Sequence, residues 1–185
     1  MEKQACNMHI KVKEEKMQKV IIIGCGGSGK STLARELGKL LGLPVIHLDQ
    51  LFWLPGWVAK DRESFAEEVR QEAEKEQWIM DGNFLHTMPM RLQYCDTAIM
   101  LDYPTRTCLW GVLCRVAGSY GKTRPDMGKG CPERFDFSFL KWIWGFRKKE
   151  RSKCYAALEN FHGRLIIIKN RRECREFLRD LRENK

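Results

Sequence analysis

Gly24-Cys25-Gly26-Gly27-Ser28-Gly29-Lys30-Ser31 fits the pattern G-x-x-x-x-G-K-[ST] without a mismatch. Its flanks supply the matching context. Residues 19–23 are a short apolar run rich in β-branched side chains, the pattern of a buried strand. Residues 31–41 carry Leu33, Leu37, Leu40 and Leu41 at helical spacing, Gly42 is a stop signal, and Pro44 prevents continuation. Strand, glycine-rich turn and helix in that order make a phosphate-binding loop. Glycines let the backbone curl so that successive N–H groups point at phosphate oxygens, and the helix N-terminus adds its positive dipole end. Lys30 then reaches the β- and γ-phosphates, and the Ser31 hydroxyl holds Mg²⁺. The expected nucleotide contacts are Gly24, Gly26, Gly27, Ser28, Gly29, Lys30, Ser31 and Thr32, with ATP and Mg²⁺ as cofactors.

Outward from the loop, strands and helices alternate. A second strand is expected over 45–48, ending at Asp49, followed by an aromatic loop over 51–57 that holds Pro55 and Gly56. Ser64-x-x-Glu67 reads as a capping box opening a helix that runs to Glu76. A third strand over 78–80 ends at Asp81-Gly82, and a short helix covers 85–94. A fourth strand over 97–101 ends at Asp102, and a helix follows over 105–117. Residues 118–136 hold four glycines and two prolines and read as a loop. A long helix over 138–161, a fifth strand over 165–169 and an amphipathic helix over 172–183 complete the chain. This alternation implies right-handed βαβ units and a parallel sheet covered on both faces. Ligands on such sheets bind beyond the carboxyl ends of the strands, where Asp49, Asp81 and Asp102 all fall. One of these acids has to support the metal; Asp81 is the first choice and Asp102 the second.

The 185 residues suit one domain with one core. Residues 1–18 read as a flexible N-terminal extension and 19–185 as the folded domain. No apolar window is long enough for a spanning helix, and the N-terminus lacks the apolar stretch of a secretory signal. Eight scattered cysteines without a C-x-x-C pair argue against a zinc ribbon or a dithiol motif and for reduced thiols in a cytoplasmic protein. The net charge of +9 points to anionic partners. Between Arg115 and Lys153 there are eleven Lys/Arg against four Asp/Glu. His47 and His86 have no convergent metal ligands in the sequence.

Five segments together are more specific than the loop. They are residues 24–32, His-Leu-Asp-Gln-Leu-Phe-Trp-Leu-Pro-Gly-Trp (47–57), Trp-Ile-Met-Asp-Gly-Asn-Phe (78–84), Arg-Pro-Asp-Met-Gly-Lys-Gly-Cys-Pro-Glu-Arg-Phe-Asp (124–136) and residues 139–151. With them the chain resembles the bacterial family called DNA topology modulation proteins, relatives of adenylate kinase, over residues 18–183. The resemblance implies a P-loop NTPase domain of three α/β/α layers, a five-stranded parallel sheet in the order 2-3-1-4-5, and a mobile lid over about 118–153. It implies that Asp81 lies beside the phosphate loop, that Arg91 grips an acceptor phosphate, and that lid arginines, from among Arg124, Arg134, Arg147 and Arg151, neutralise the transferring group. In adenylate kinase the helix after the fourth strand carries two arginines, one of which stacks on adenine. Arg115 matches the second, but Gly111 occupies the first position, so Arg171 and its neighbours after strand five are the alternative base contact.

The sequence therefore leads to a small-molecule kinase that moves the ATP γ-phosphoryl to a small acceptor held by Asp49, Trp53, Trp57 and Arg91. Trp53, Trp57 and Phe52 either stack on an acceptor ring or line the core beneath a loop. The rival reading is an ATP-dependent nucleic-acid-associated regulator, with the basic 115–153 segment as its support and no DNA-reading motif.

Overall fold

A computed structural model describes residues 17–183 of the chain. Most of the expected N-terminal extension, residues 1–16, lies outside the described residues. Met17 and Gln18, also expected there, are anchored: Met17 is buried, and the Gln18 and Lys19 N–H groups both donate to Asp96 Oδ2 at 2.9 and 2.7 Å.

The core is a five-stranded parallel sheet. In chain order its strands are β1 (Lys19–Gly24), β2 (Val45–His47), β5 (Trp78–Asp81), β6 (Thr97–Leu101) and β7 (Arg164–Ile168); in space they lie β2-β5-β1-β6-β7. Counting core strands alone, this is the expected 2-3-1-4-5. Val20, Ile21, Ile22 and Ile23 of the central strand are all fully buried. Both of its faces are covered by helices, which is why it reads as an unbroken apolar run rather than an alternating one. Register sets the C-terminal ends of the strands side by side, with Asp81 opposite both Ile22 and His47, and Gly24 opposite Leu101.

The helices are α1 (Lys30–Leu41), α2 (Leu48–Phe52), α3 (Arg62–Glu74), α4 (Met88–Tyr94), α5 (Thr105–Ser119), α6 (Phe137–Lys149), α7 (Arg151–Leu158) and α8 (Arg171–Glu183). Helix α1 buries Leu33, Ala34, Leu37 and Gly38 and ends at Gly42, whose left-handed backbone (φ 72°) caps the helix through an N–H bond to Gly38 O.

Four local expectations are corrected. The strand expected to reach residue 48 stops at His47, and the aromatic stretch after it is a short helix plus a hairpin of β3 (Trp53–Leu54) and β4 (Val58–Ala59). The turn Pro55-Gly56-Trp57 makes this possible, with Gly56 at φ 79° and Trp57 at φ 64°. Helix α3 is capped by Asp61, which accepts the Ser64 N–H at 2.8 Å, so Ser64 sits inside the first turn. Helix α4 starts at Met88, because Pro89 fits only in a first turn. The long helix expected over 138–161 is broken at Glu150, so that α6 packs on α5 while α7 packs on α4.

Candidate active site

The loop between β1 and α1 forms a cradle that only glycine can supply. Gly24, Gly27 and Gly29 have φ of 140°, 76° and 96°. A Cβ on Gly27 would meet the Cys108 carbonyl oxygen at 2.2 Å, so helix α5 lies directly against the loop. The Lys30 ammonium and the Ser28 hydroxyl donate to the Cys25 carbonyl at 2.9 and 2.8 Å, and the Gly24 N–H donates to Asn83 Oδ1 at 3.3 Å. Cys25 itself is buried; its hydrogen bond to Cys108, followed by burial, pushes its thiol up, so it packs rather than reacts. The seven cysteines among the described residues are all free.

A cavity of about 1070 Å³ opens in front of this loop. Its floor is Gly24 and residues 26–32. One flank carries Asp49, Trp53, Arg62, Asn83 and His86; the other carries Tyr103, Gly111, Arg171 and Arg175. Asp49 is partly buried. Burial first, and then the negative charge of Asp81, raise its pKa above the usual carboxylate range, against the opposing pull of Lys30. A carboxylate with raised affinity for a proton, in the same cavity as Lys30, suits proton acceptance from a hydroxyl.

Asp81 and Asp102, which the sequence left as alternatives, have different partners. Asp81 is buried, is bonded to His47 Nδ1, its neighbour across the sheet ladder, and does not itself line the cavity. Asp102 is gripped by Arg151 Nε and Nη2 at 2.8 and 2.7 Å and by the Tyr155 hydroxyl at 2.9 Å. These bonds, Arg151 first, hold its pKa below the usual carboxylate range. Asp102 is thus spent on tying α7 to the end of β6, and Arg151 with it. Arg91, expected at an acceptor phosphate, does not line the cavity. Its fully buried guanidinium donates to Thr87 Oγ1 and to the carbonyls of Gly82, Asn83 and Phe84 at 3.1–3.3 Å, holding the turn after β5 from beneath. Burial pulls its pKa down to about 10.

Residues 120–136 bend over the cavity and dock on the β3–β4 hairpin. Trp57 Nε1 donates to Pro132 O (3.1 Å), Gly56 N–H to Gly130 O (3.0 Å), and the Cys131 thiol to Leu54 O (3.1 Å). A Cβ on Gly128 would lie 2.0 Å from Trp53 O. The segments 47–57 and 124–136 therefore clasp each other. Arg134 stacks on Trp57 at 5.0 Å, which helps hold the strained backbone of that tryptophan.

Three of the arginines around the cavity form ion pairs with acids of the fold. Arg124 pairs with Asp126 and with Glu133 (2.8 Å), Arg35 with Asp126 (3.4 Å), and Arg115 with Glu133 (3.0 Å). Arg147 is exposed and, like Arg134, does not line the large cavity. Arg115, Arg124 and Arg171 do. Sequence reasoning missed Arg35, Arg62, Asn83 and the buried acids Asp126 and Glu133. Two acids in a strongly basic segment were the signal available for the last pair.

Among the described residues there is no cluster of three or more acids, histidines or cysteines able to cage a metal, and no helix long and apolar enough to cross a membrane. No protein-family model and no curated protein matches the chain. Solved structures do. A shikimate kinase from Acinetobacter baumannii, in complex with shikimate, superposes with a TM-score of 0.60 at 16% identity, over 90% of this chain and 92% of that one. A shikimate kinase from Bacteroides thetaiotaomicron gives 0.52 at 17% identity over 91% and 98%, and a gluconokinase from Sinorhizobium meliloti 1021 gives 0.52 at 16% over 90% and 94%. At such low identity the likeness establishes the fold alone: a five-stranded parallel sheet between layers of helices, shared with these kinases.

Proposed function

We propose that the chain is an ATP- and Mg²⁺-dependent small-molecule kinase, moving the γ-phosphoryl of ATP in line to a small acceptor. The observation that carries this reading is that one cavity joins the glycine cradle and Lys30 to Asp49, a carboxyl whose pKa is raised by burial. The fold is shared with proteins named as shikimate kinases and a gluconokinase. Lys30 binds the β- and γ-phosphates, the backbone N–H groups of residues 26–32 orient them, and Asp49 holds the acceptor hydroxyl and takes its proton. Arg124, the lid candidate that lines the cavity, neutralises the transferring group, and Arg115 of α5 and Arg171 are the nucleotide contacts. Ser31, on the cavity floor, and Asp81, at the end of β5, would hold Mg²⁺, which would offset phosphate charge. The segment 120–136 acts as the lid that excludes water.

An ATP-consumption screen over small hydroxyl compounds and nucleoside monophosphates tests the reading, with Lys30→Ala as the blank. The variant should lose about three decades in rate. Acceptor-dependent turnover that survives in Lys30→Ala would sink it.

A further inference from the structure

A second cavity, of about 150 Å³, lies under residues 124–136 between the hairpin and helix α5. Asp49, Trp53, Arg115, Arg124 and Phe139 line both cavities, so the small one is a side chamber of the large one at the acceptor end. Its walls are mainly apolar: Trp53, Val112, Val116, Met127 and Leu140. A dry cavity of about this volume in another protein admits one benzene-sized ring.

Six charged side chains also reach its lining, and two of them, Arg115 and Glu133, each keep one buried polar atom without a directed hydrogen bond. Arg115 Nε and Glu133 Oε2 are the two buried side-chain polar atoms without a hydrogen bond among the described residues. They lie 3.0 Å apart, Arg124 Nε is 2.8 Å from the same carboxylate oxygen, and Arg115 Nη2 donates to Glu133 Oε1 at 3.3 Å, so the charges are balanced and one directed bond is made, while Arg115 Nε and Glu133 Oε2 are each left without one. Glu133 is only 3% exposed, which rules out bulk water as its partner. Buried polar groups left in this state are costly, and across most of the fold they are avoided. An open acceptor beside an open donor is the complement of a ring edge that presents N–H next to C=O or a ring nitrogen.

Resting on the kinase reading above, we propose that the acceptor is a hydroxyl compound carrying one six-membered heterocycle with adjacent hydrogen-bond donor and acceptor, as in a pyrimidine nucleoside. Its ring occupies the side chamber with its polar edge on Glu133 and Arg115, and its hydroxyl reaches Asp49. No bond is made to the ring; the O–H proton passes to Asp49 as the hydroxyl oxygen takes the γ-phosphoryl and ADP leaves.

The test uses the full chain with cytidine, uridine and thymidine, against adenosine and guanosine and against the ring-free compounds gluconate and glycerate. Binding is read by tryptophan fluorescence and turnover by ADP release, in wild type, Val116→Trp and Glu133→Gln, and ATP affinity is measured in parallel to confirm an intact fold. Single-ring nucleosides should bind and turn over. Val116→Trp, which fills the chamber, should raise their KM at least tenfold, and Glu133→Gln should change the preference among the three. If a ring-free compound is the better acceptor and is indifferent to Val116→Trp, or if no single-ring compound binds or turns over while ATP binds, the chamber assignment is wrong and the kinase reading stands. Loss of ATP binding in wild type overturns both.

Discussion

Gly27 of the phosphate loop and Gly111 of helix α5 touch backbone to backbone: a Cβ on Gly111 would stand 2.1 Å from the Gly27 carbonyl oxygen. This accounts for the missing arginine where adenylate kinase stacks one on adenine. The helix here lies too close to the loop for any side chain at that position, and Arg171 Nη2, 3.3 Å from the same Cβ position, stands beside it on the cavity wall. Gly111→Ala should cost about 1–3 kcal/mol through overpacking and weaken ATP binding by about tenfold or more. A thermal melt and an ATP titration check this; wild-type values in both would show that helix and loop can part freely.

Arg91 is expected to act on stability rather than on the acceptor. Arg91→Ala strips hydrogen bonds from three carbonyls in the turn after β5, and leaving such buried acceptors unpaired should cost about 3 kcal/mol. Arg91→Lys should rescue little, because an ammonium cannot span the same forked set of acceptors. Urea unfolding measures this. A variant of native stability with only a raised acceptor KM would return Arg91 to the acceptor site.

Asp49→Asn should lower kcat by about two to four decades while ATP affinity stays within a few-fold. The amide keeps the shape but cannot take a proton. Steady-state kinetics with a competent acceptor separate the two effects, and an unchanged kcat would reduce Asp49 to an orienting group.

The bond between Arg151 and Asp102 makes part of the stability depend on pH. The pKa of Asp102 is lower in the folded chain than in the unfolded one, so the unfolded state binds the extra proton first. The contribution is fully present above the ordinary carboxylate range and is lost as pH falls through the depressed folded value. Asp102→Asn should cost about 1–2 kcal/mol at neutral pH, and its stability should converge on that of wild type in acid. Parallel unfolding curves from pH 7 down into the acid range give the comparison; a gap that does not narrow as pH falls below the ordinary carboxylate range would contradict the ion-pair account.

The sheet and the phosphate loop were legible in the sequence because their signals are local. A run such as Val-Ile-Ile-Ile can be buried on both faces only in a central parallel strand, and the glycines at 24, 27 and 29 with Lys30 state the cradle's backbone in residue types. Local signals also placed Gly42 at the end of α1 and Asp81 at the end of β5, whereas Asp49, expected at a strand end, lies in the first turn of α2. Features that depend on contacts between distant parts of the chain were hidden. The buried position of Arg91, the use of Arg151 and Asp102 on each other, and the closure of α5 on the loop at Gly111 each depend on which remote backbone or carboxylate arrives alongside. Charge in the sequence is a sum, whereas charge in the site is a set of pairs. The eleven basic residues between Arg115 and Lys153 pointed to an anionic partner, yet Arg115, Arg124 and Arg151 find Glu133, Asp126 and Asp102 within the fold. Residue types and their order dictate the architecture and the place where phosphate can be held. Folding in three dimensions selects which side chains face the cavity, because burial, pairing and close approach are properties of neighbours in space that residue spacing does not carry.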